Sequence, residues 1–434
     1  MKINSWSRYH VITSGSLAPL NPTCHGSLKM FSDIGESSGS NRVIVFPSLI
    51  SLEFSYNFLN RTLPSWLYTA SSLKYISLSN NELNSDIKEF LYKSLEKIFL
   101  RNNKLKSPLP SSISQLVNLT HVSLSLNNLS DIVEFDMFSK LKNLQYLDLS
   151  YNCLSLNTNG TSADYTLPNL SSLYLSSCNV SEFPQFLKGL KRFHSLDLSK
   201  NRINGKIPKW MGDVAKDSLN LPIPSSTTNV FLTSNNSLSE EISYLICNAD
   251  SLEFLDLSHN NLSGIIPQCF RNLSKGLSIG RFYSYSIGIA IKGLEIELVK
   301  IFILLTIIDL LNNEFQGEIP VIVRELNSLK GFNLSHNNLS GYIPTSLGNL
   351  IGLEWLDLFS NKLVGKVPEQ LLDLTSLSFL ILSKNELVGC IPLSKQFNTF
   401  ENNSYEGNDG LCGLPLTRDC NNNEPTQQLS PSNL

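Results

Sequence analysis

Five aspartates, Asp148, Asp197, Asp256, Asp309 and Asp357, each stand between aliphatic residues as L-D-L or I-D-L. Two repeats apart, such carboxylates would lie about 10 Å from each other, near the separation of the acid and base of an inverting glycosidase. That chemistry needs one carboxyl group whose pKa is raised by its surroundings, and no neighbouring residue type marks one. These aspartates are therefore predicted to form a solvated outward face, and no enzymatic activity is expected. His259 and His336 occupy matching L-S-H-N positions with no third ligand at metal spacing, so neither a metal nor another cofactor is expected. No Gly-rich phosphate loop, G-x-S-x-G elbow or kinase H-R-D signature occurs. Eight cysteines, at 24, 153, 178, 247, 269, 390, 412 and 420, are too dispersed for a small disulfide scaffold and form no CxxC pair.

One template positions these residues. L-x-x-L-x-L-x-x-N-x-L-x-G-x-I-P is clearest from Leu252, Leu329, Leu353 and Leu377, the last three 24 residues apart. Looser copies begin at Leu49, Leu73, Leu95, Leu119, Leu144, Leu170, Phe193, Thr228 and Leu305, making 13 in all. The alternating x-L-x-L-x predicts a short strand with leucines inward. Strands stacked coil on coil predict an α/β solenoid, a leucine-rich-repeat horseshoe with a parallel sheet on its concave face. The template asparagine (Asn57, Asn81, Asn103, Asn127, Asn152, Asn201, Asn236, Asn260, Asn313, Asn337, Asn361, Asn385) is predicted to turn inward and satisfy backbone groups of neighbouring coils. Cys178 replaces it once. Gly permits a tight bend, and Pro is predicted to end the coil.

The outward strand positions carry aromatic residues, Tyr75, Phe99, Tyr146, Phe254, Trp355, Phe359 and Phe379, of the kind that make interface hot spots. A net charge of -3 from 34 basic and 37 acidic residues lacks the positive field of a nucleic-acid binder, so no nucleic-acid partner is expected. With 41% hydrophobic content the chain is not a disordered polyelectrolyte. The strongest apolar run, residues 301–311, is shorter than the roughly 20 residues that cross a bilayer.

The G-x-I-P half-repeats resemble the plant-specific repeat class. The tract FNTFENNSYEGNDGLCGLPLTRDC (397–420) is very similar to the C-terminal cap of plant extracellular receptor-like proteins, the group that includes the tomato Cf disease-resistance proteins. The resemblance runs from about Leu49 to Cys420. It implies a disulfide between Cys412 and Cys420, and another between Cys247 and Cys269, one coil apart. Cys153, Cys178 and Cys390 are read as free or packed thiols. Tyr283, followed after eight residues by Lys292 and Gly293, resembles the Y-x8-KG motif of island segments in that family, which implies ligand binding there.

By the same resemblance, the last four coils and the island would face a leucine-rich-repeat co-receptor kinase, with Lys330, Asn333, Trp355, Asp357, Phe379 and Lys384 as candidate contacts. The ligand would be a peptide, protein or glycan, and the site of action the outer side of the plasma membrane, in defence or peptide signalling. Two other readings stay open. One is a soluble inhibitor of a secreted microbial hydrolase; the other is a truncated product without function.

The expected organisation is an N-terminal segment without the usual cap (1–48) and repeats (49–267) with an irregular join near 209–227. An insert (268–304), four C-terminal repeats (305–396), the cap (397–420) and a disordered tail (421–434) follow. Both ends read as cut, and a truncated product would expose an unpaired edge on its uncapped first coil. Sequons at Asn60, Asn118, Asn128, Asn159, Asn169, Asn179, Asn235, Asn261, Asn272, Asn338 and Asn402 are expected to carry glycans. Asn333 is a sequon too, placed where a glycan would block the concave face.

Overall fold

The computed structural model describes residues 10–13, 48–157, 167–190, 193–208, 228–242, 251–268, 286–291, 294–299, 306–393 and 396–420. They fall into two compact units, Met1–Ser237 and Leu238–Leu434. The irregular join at 209–227 and the tail at 421–434 lie outside the described residues.

In the first unit, the strands Leu49–Glu53, Tyr75–Ser77, Lys97–Phe99, His121–Ser123, Tyr146–Asp148, Ser172–Tyr174, Ser195–Asp197 and Val230–Leu232 pair in parallel, each with the next coil's strand. Period-2 alternation turns Ile76, Leu78, Leu147 and Leu149 completely inward. Each such leucine contributes about 1.5–3 kcal/mol by burial, so the ladder rests mainly on them. The first strand's edge is not open, unlike the edge expected of a truncated product. His10–Thr13 pairs with it antiparallel, Val11 opposite Leu52. A second parallel ladder joins Lys106–Ser107, Asn128–Glu134 and Cys153–Asn157.

In the second unit, Phe254–Asp256, Thr306–Asp309, Leu329–Asn333, Trp355–Asp357 and Phe379–Ile381 repeat the arrangement. Behind them run Asn261–Gly264, Glu314–Gly317, Asn338–Tyr342, Lys362–Gly365, Glu386–Cys390 and Gly410–Cys412, again parallel. The glycines at or next to the ends of several of these strands, Gly264, Gly317, Gly341 and Gly365, have φ between +76° and +81°, a region where a Cβ is strained.

Where the described coils turn helical they form a short 3-10 turn; no α-helix occurs among the described residues. Proline opens this turn rather than ending the coil. Pro64, Pro110, Pro184, Pro320, Pro344 and Pro368 each stand just before one, with φ between -61° and -67°. Their carbonyls accept the first hydrogen bond of the turn, as Pro344 does from Leu347 at 3.1 Å. A fixed φ and a missing N–H are no loss at a helix start.

The asparagine ladder works as the template implies. Asn337 donates its amide to the carbonyl of Leu310 in the preceding coil (3.0 Å) and to that of Leu334 in its own (3.1 Å), while its Oδ1 accepts from the N–H of Phe315 (3.1 Å). Asn81, Asn103, Asn361 and Asn385 do the same. Buried Cys178 covers part of this role, its Sγ lying 3.4 Å from the Leu149 carbonyl. In the cap, Asn408 takes the asparagine's place for the last coil, accepting from Leu387 N–H (3.1 Å) and donating to Leu382 O (3.0 Å).

Candidate ligand-binding faces

In the first unit, outward positions of five consecutive strands carry Tyr75, Phe99, His121, Tyr146 and Tyr174. Successive ring centroids are 5.7, 6.2, 6.0 and 5.4 Å apart, and His121 stacks on Tyr146 with 15° between planes. Adjacent strands lie about 4.8 Å apart, so rings at neighbouring outward positions are forced into contact. Tyr174 is buried and the other four are half-buried. Lys97, on the strand between Tyr75 and His121, makes no ion pair among the described residues. Partial burial, then Lys97, lowers the His121 pKa, so its imidazole is neutral near pH 7. His121 and Tyr174 were missed in the sequence, although the register that marks Tyr75 and Tyr146 also marks His121, and the outward position two residues on that marks Phe99 also marks Tyr174.

The second unit brings several predicted contact residues together but does not expose them all. Trp355 is 6% exposed and Asn333 3%, so neither projects outward as expected. Trp355 pairs in register with Gly331, and a Cβ added there would meet its ring at 2.8 Å; the indole lies over the glycine and against Phe379, with ring centroids 6.5 Å apart. Phe254, also predicted outward, is buried. Lys330 pairs with Glu354 at 2.9 Å. The exposed Lys384 places Nζ 5.0 Å from the ring centroid of half-buried Phe359, and His336 meets that ring edge-on at 4.9 Å.

The solvated aspartate face is overturned. Asp148, Asp197, Asp256 and Asp309 are buried and Asp357 half-buried. Each carboxylate curls back to accept the backbone N–H two residues on: Asp148 from Ser150 (3.1 Å), Asp197 from Ser199 (2.9 Å), Asp256 from Ser258 (3.0 Å), Asp309 from Leu311 (3.0 Å) and Asp357 from Phe359 (3.0 Å). Asn333 makes the same bond to Ser335 at 3.1 Å. These are Asx-type turns that close the strand, a structural role. Burial pushes Asp357 up to about 6; burial and then Asp256 hold Asp309 well above the usual carboxylate range.

The insert leaves the ladder intact. Phe254–Asp256 pairs directly with Thr306–Asp309, and Asn313 reaches back to Leu262 N–H (3.0 Å). Between them in sequence, Ser286–Ile291 and Leu294–Val299 form an antiparallel hairpin, Ile291 opposite Leu294. Tyr283, Lys292 and Gly293 lie outside the described residues, as do Cys24, Cys247, Cys269, Asn159 and Asn272. Cys412 and Cys420 form a disulfide, and Cys153, Cys178 and Cys390 are free thiols. Asn60, Asn118, Asn128, Asn169, Asn179, Asn235, Asn261, Asn338 and Asn402 are exposed.

Strand, asparagine, glycine and proline recur in phase through both units, which defines a leucine-rich-repeat protein. The family model described as Leucine Rich Repeat matches residues 94–116, 192–214, 251–273 and 328–350. The chain is homologous to plant receptor-like proteins. It is 32% identical to Receptor-like protein 54 of Arabidopsis thaliana over 249 residues, covering 49% of this chain and 31% of that protein. It is 36% identical to Receptor like protein 22 of the same plant over 173 residues, 40% of this chain and 21% of that protein. The chain thus spans less than a third of the length of these curated relatives. Similarity to the tomato Cf type within this group is a narrower reading that these relatives do not address.

Among solved structures, it resembles the Arabidopsis thaliana GASSHO1/SCHENGEN3 leucine-rich-repeat ectodomain in complex with CASPARIAN STRIP INTEGRITY FACTOR 2. The TM-score is 0.68 at 29% identity, over 86% of this chain and 40% of that one. It also resembles the Arabidopsis receptor kinase HAESA in complex with the peptide hormone IDA and the co-receptor SERK1, with TM-score 0.57 at 26% identity, over 85% and 63% of the two chains. No helix among the described residues is long and apolar enough to cross a membrane.

Proposed function

We propose that the chain is a ligand-recognition segment of a plant receptor-like protein, acting on the outer side of the plasma membrane and signalling through a co-receptor kinase. Its role is binding rather than catalysis: the aspartates that could have formed an acid–base pair are committed to strand-closing turns. The carrying observation is the ring ladder from Tyr75 to Tyr174, four of its members half-buried on outward strand positions with Lys97 among them. Rigid, partly exposed aromatics supply large contact area with little entropy to lose, and a neighbouring ammonium favours an anionic group. A peptide with an acidic side chain or terminal carboxylate matches that combination.

Relatives of the fold support the reading, since the HAESA structure holds both a peptide hormone and a co-receptor. Lys384 over Phe359, with His336, offers the second unit's corresponding polar–aromatic cluster for a partner kinase. The test is a binding screen of the purified chain against secreted plant peptides, comparing wild type with Phe99→Ala and Tyr146→Ala. Loss of a hit in both variants, with unchanged circular dichroism, supports the assignment. Hits whose affinity neither variant alters would remove the ladder as the site.

A further inference from the structure

Three sulfurs converge where the last coil meets the cap. Cys390 ends the strand Glu386–Cys390 and Cys412 ends Gly410–Cys412; the two residues are register partners, and their Sγ atoms stand 3.5 Å apart. Cys412 is bonded to Cys420, and one sulfur of each of the three residues lies within 4.8 Å of the others. Their accessibility differs in a useful way. Cys412 is 3% exposed, whereas Cys390 is exposed and carries no bridge.

We infer that this triad is a thiol–disulfide exchange site, with Cys390 as the resident nucleophile and Cys420 as the sulfur it releases. The Cys390 thiolate attacks Cys412 Sγ, a Cys390–Cys412 bond forms, and the Cys412–Cys420 bond breaks. Its electron pair leaves on Cys420, which takes up the proton that Cys390 gave up. One disulfide and one thiol exist before and after, so no oxidant or reductant enters.

Geometry favours the internal route over attack from solution. A dissolved thiol must reach a buried sulfur, while Cys390 is held beside it by the strand pairing, at high effective concentration. Because all three sulfurs lie within 4.8 Å, Cys390 flanks the bond instead of lying on its extension. Rotation about its Cα–Cβ bond, open on an exposed side chain, brings it into line. The product also fits the spacing of a bridge: neighbouring strand residues at about 4.8 Å fall within the Cα separation that disulfides span.

The existing bridge closes a separation of 8 residues and the new one would close 22, which in the chain-entropy account constrains the unfolded chain more. Exchange would tie the last coil directly to the cap and free the half-buried Cys420 as a thiol for a second disulfide-forming molecule.

The test uses the whole chain, secreted in oxidised form and incubated at about pH 8, where more thiolate is present. Free thiols are then alkylated and mapped by mass spectrometry under non-reducing conditions. Label on both Cys390 and Cys420 is expected, with Cys153 as the exposed reference. Cys390→Ser should lower the Cys420 label roughly tenfold or more, because only the slow external route remains. In Cys420→Ser, a Cys390–Cys412 cross-linked peptide is expected, which keeps the test decisive should Cys390→Ser fail to fold. Cys420 unlabelled in wild type, Cys420 labelled equally in Cys390→Ser, or two free thiols in Cys420→Ser would each overturn the assignment.

Discussion

Trp355 lies across the sheet from Gly331, and its indole covers the face where that residue has no side chain. A residue whose spacing suggested a protruding contact is instead a lid over its own neighbour. Trp355→Ala is therefore expected to destabilise the second unit by about 3–5 kcal/mol, the usual consequence of deleting a buried ring. Denaturant unfolding checks this. A midpoint unchanged from wild type would return Trp355 to the list of surface contacts.

Asn337→Ala removes the acceptor for the buried Phe315 N–H, leaving it unmatched, and one of the two amide donors to Leu310 O, which keeps Asn313. A loss of about 1–3 kcal/mol is expected for the unmatched N–H. Hydrogen exchange at Phe315 and the coil around it should accelerate, while the first unit stays as protected as before.

Asp357 is raised in the folded chain to about 6 from an ordinary 3.8 by burial. The folded state thus binds more protons than the unfolded state between those values, and stability falls as pH rises through that window. Asp357→Asn should flatten this fall and raise the melting temperature at pH 7. Asn333 already shows that an amide can hold the same turn. A variant with the wild-type pH profile would exclude Asp357 as its source.

Asn338 and Asn333 are both sequons, five residues apart, yet one is exposed and the other 3% exposed with Oδ1 bonded to Ser335. Glycopeptide mapping of the secreted chain is expected to find sugar on Asn338 and none on Asn333. Glycan on Asn333 would mean that its strand opens before folding is complete.

The ladder itself was legible because its signal repeats: leucine at a period of two, then one asparagine per coil, leaves few other ways to hide both. What failed was the equation of polar with exposed. In L-D-L-S the aspartate does alternate outward, but its carboxylate is short enough to bend onto the N–H of the residue two places on, and nothing in period-2 patterning distinguishes that from solvation. Proline likewise read as a terminator, when its fixed φ suits the start of a 3-10 turn equally well. Trp355 could not be placed from its own register, since its burial depends on a glycine one coil earlier. Asn408 stands outside the repeat template, so its part in closing the last coil had no periodic signal.

The asparagines give the stack a direction. Each one completes the coil before it, by accepting that coil's N–H and donating to its carbonyl, so every coil depends on its successor and the last depends on Asn408. Removing coils from the front takes carbonyl acceptors from the coil behind, as Lys74 N–H would lose Ile50 and Glu82 N–H would lose Leu59, whereas cutting downstream removes the asparagine amide that closes the final remaining coil. The two ends therefore need different closures: a new front must supply carbonyls to bared N–H groups, and a new back must supply a substitute for the lost amide.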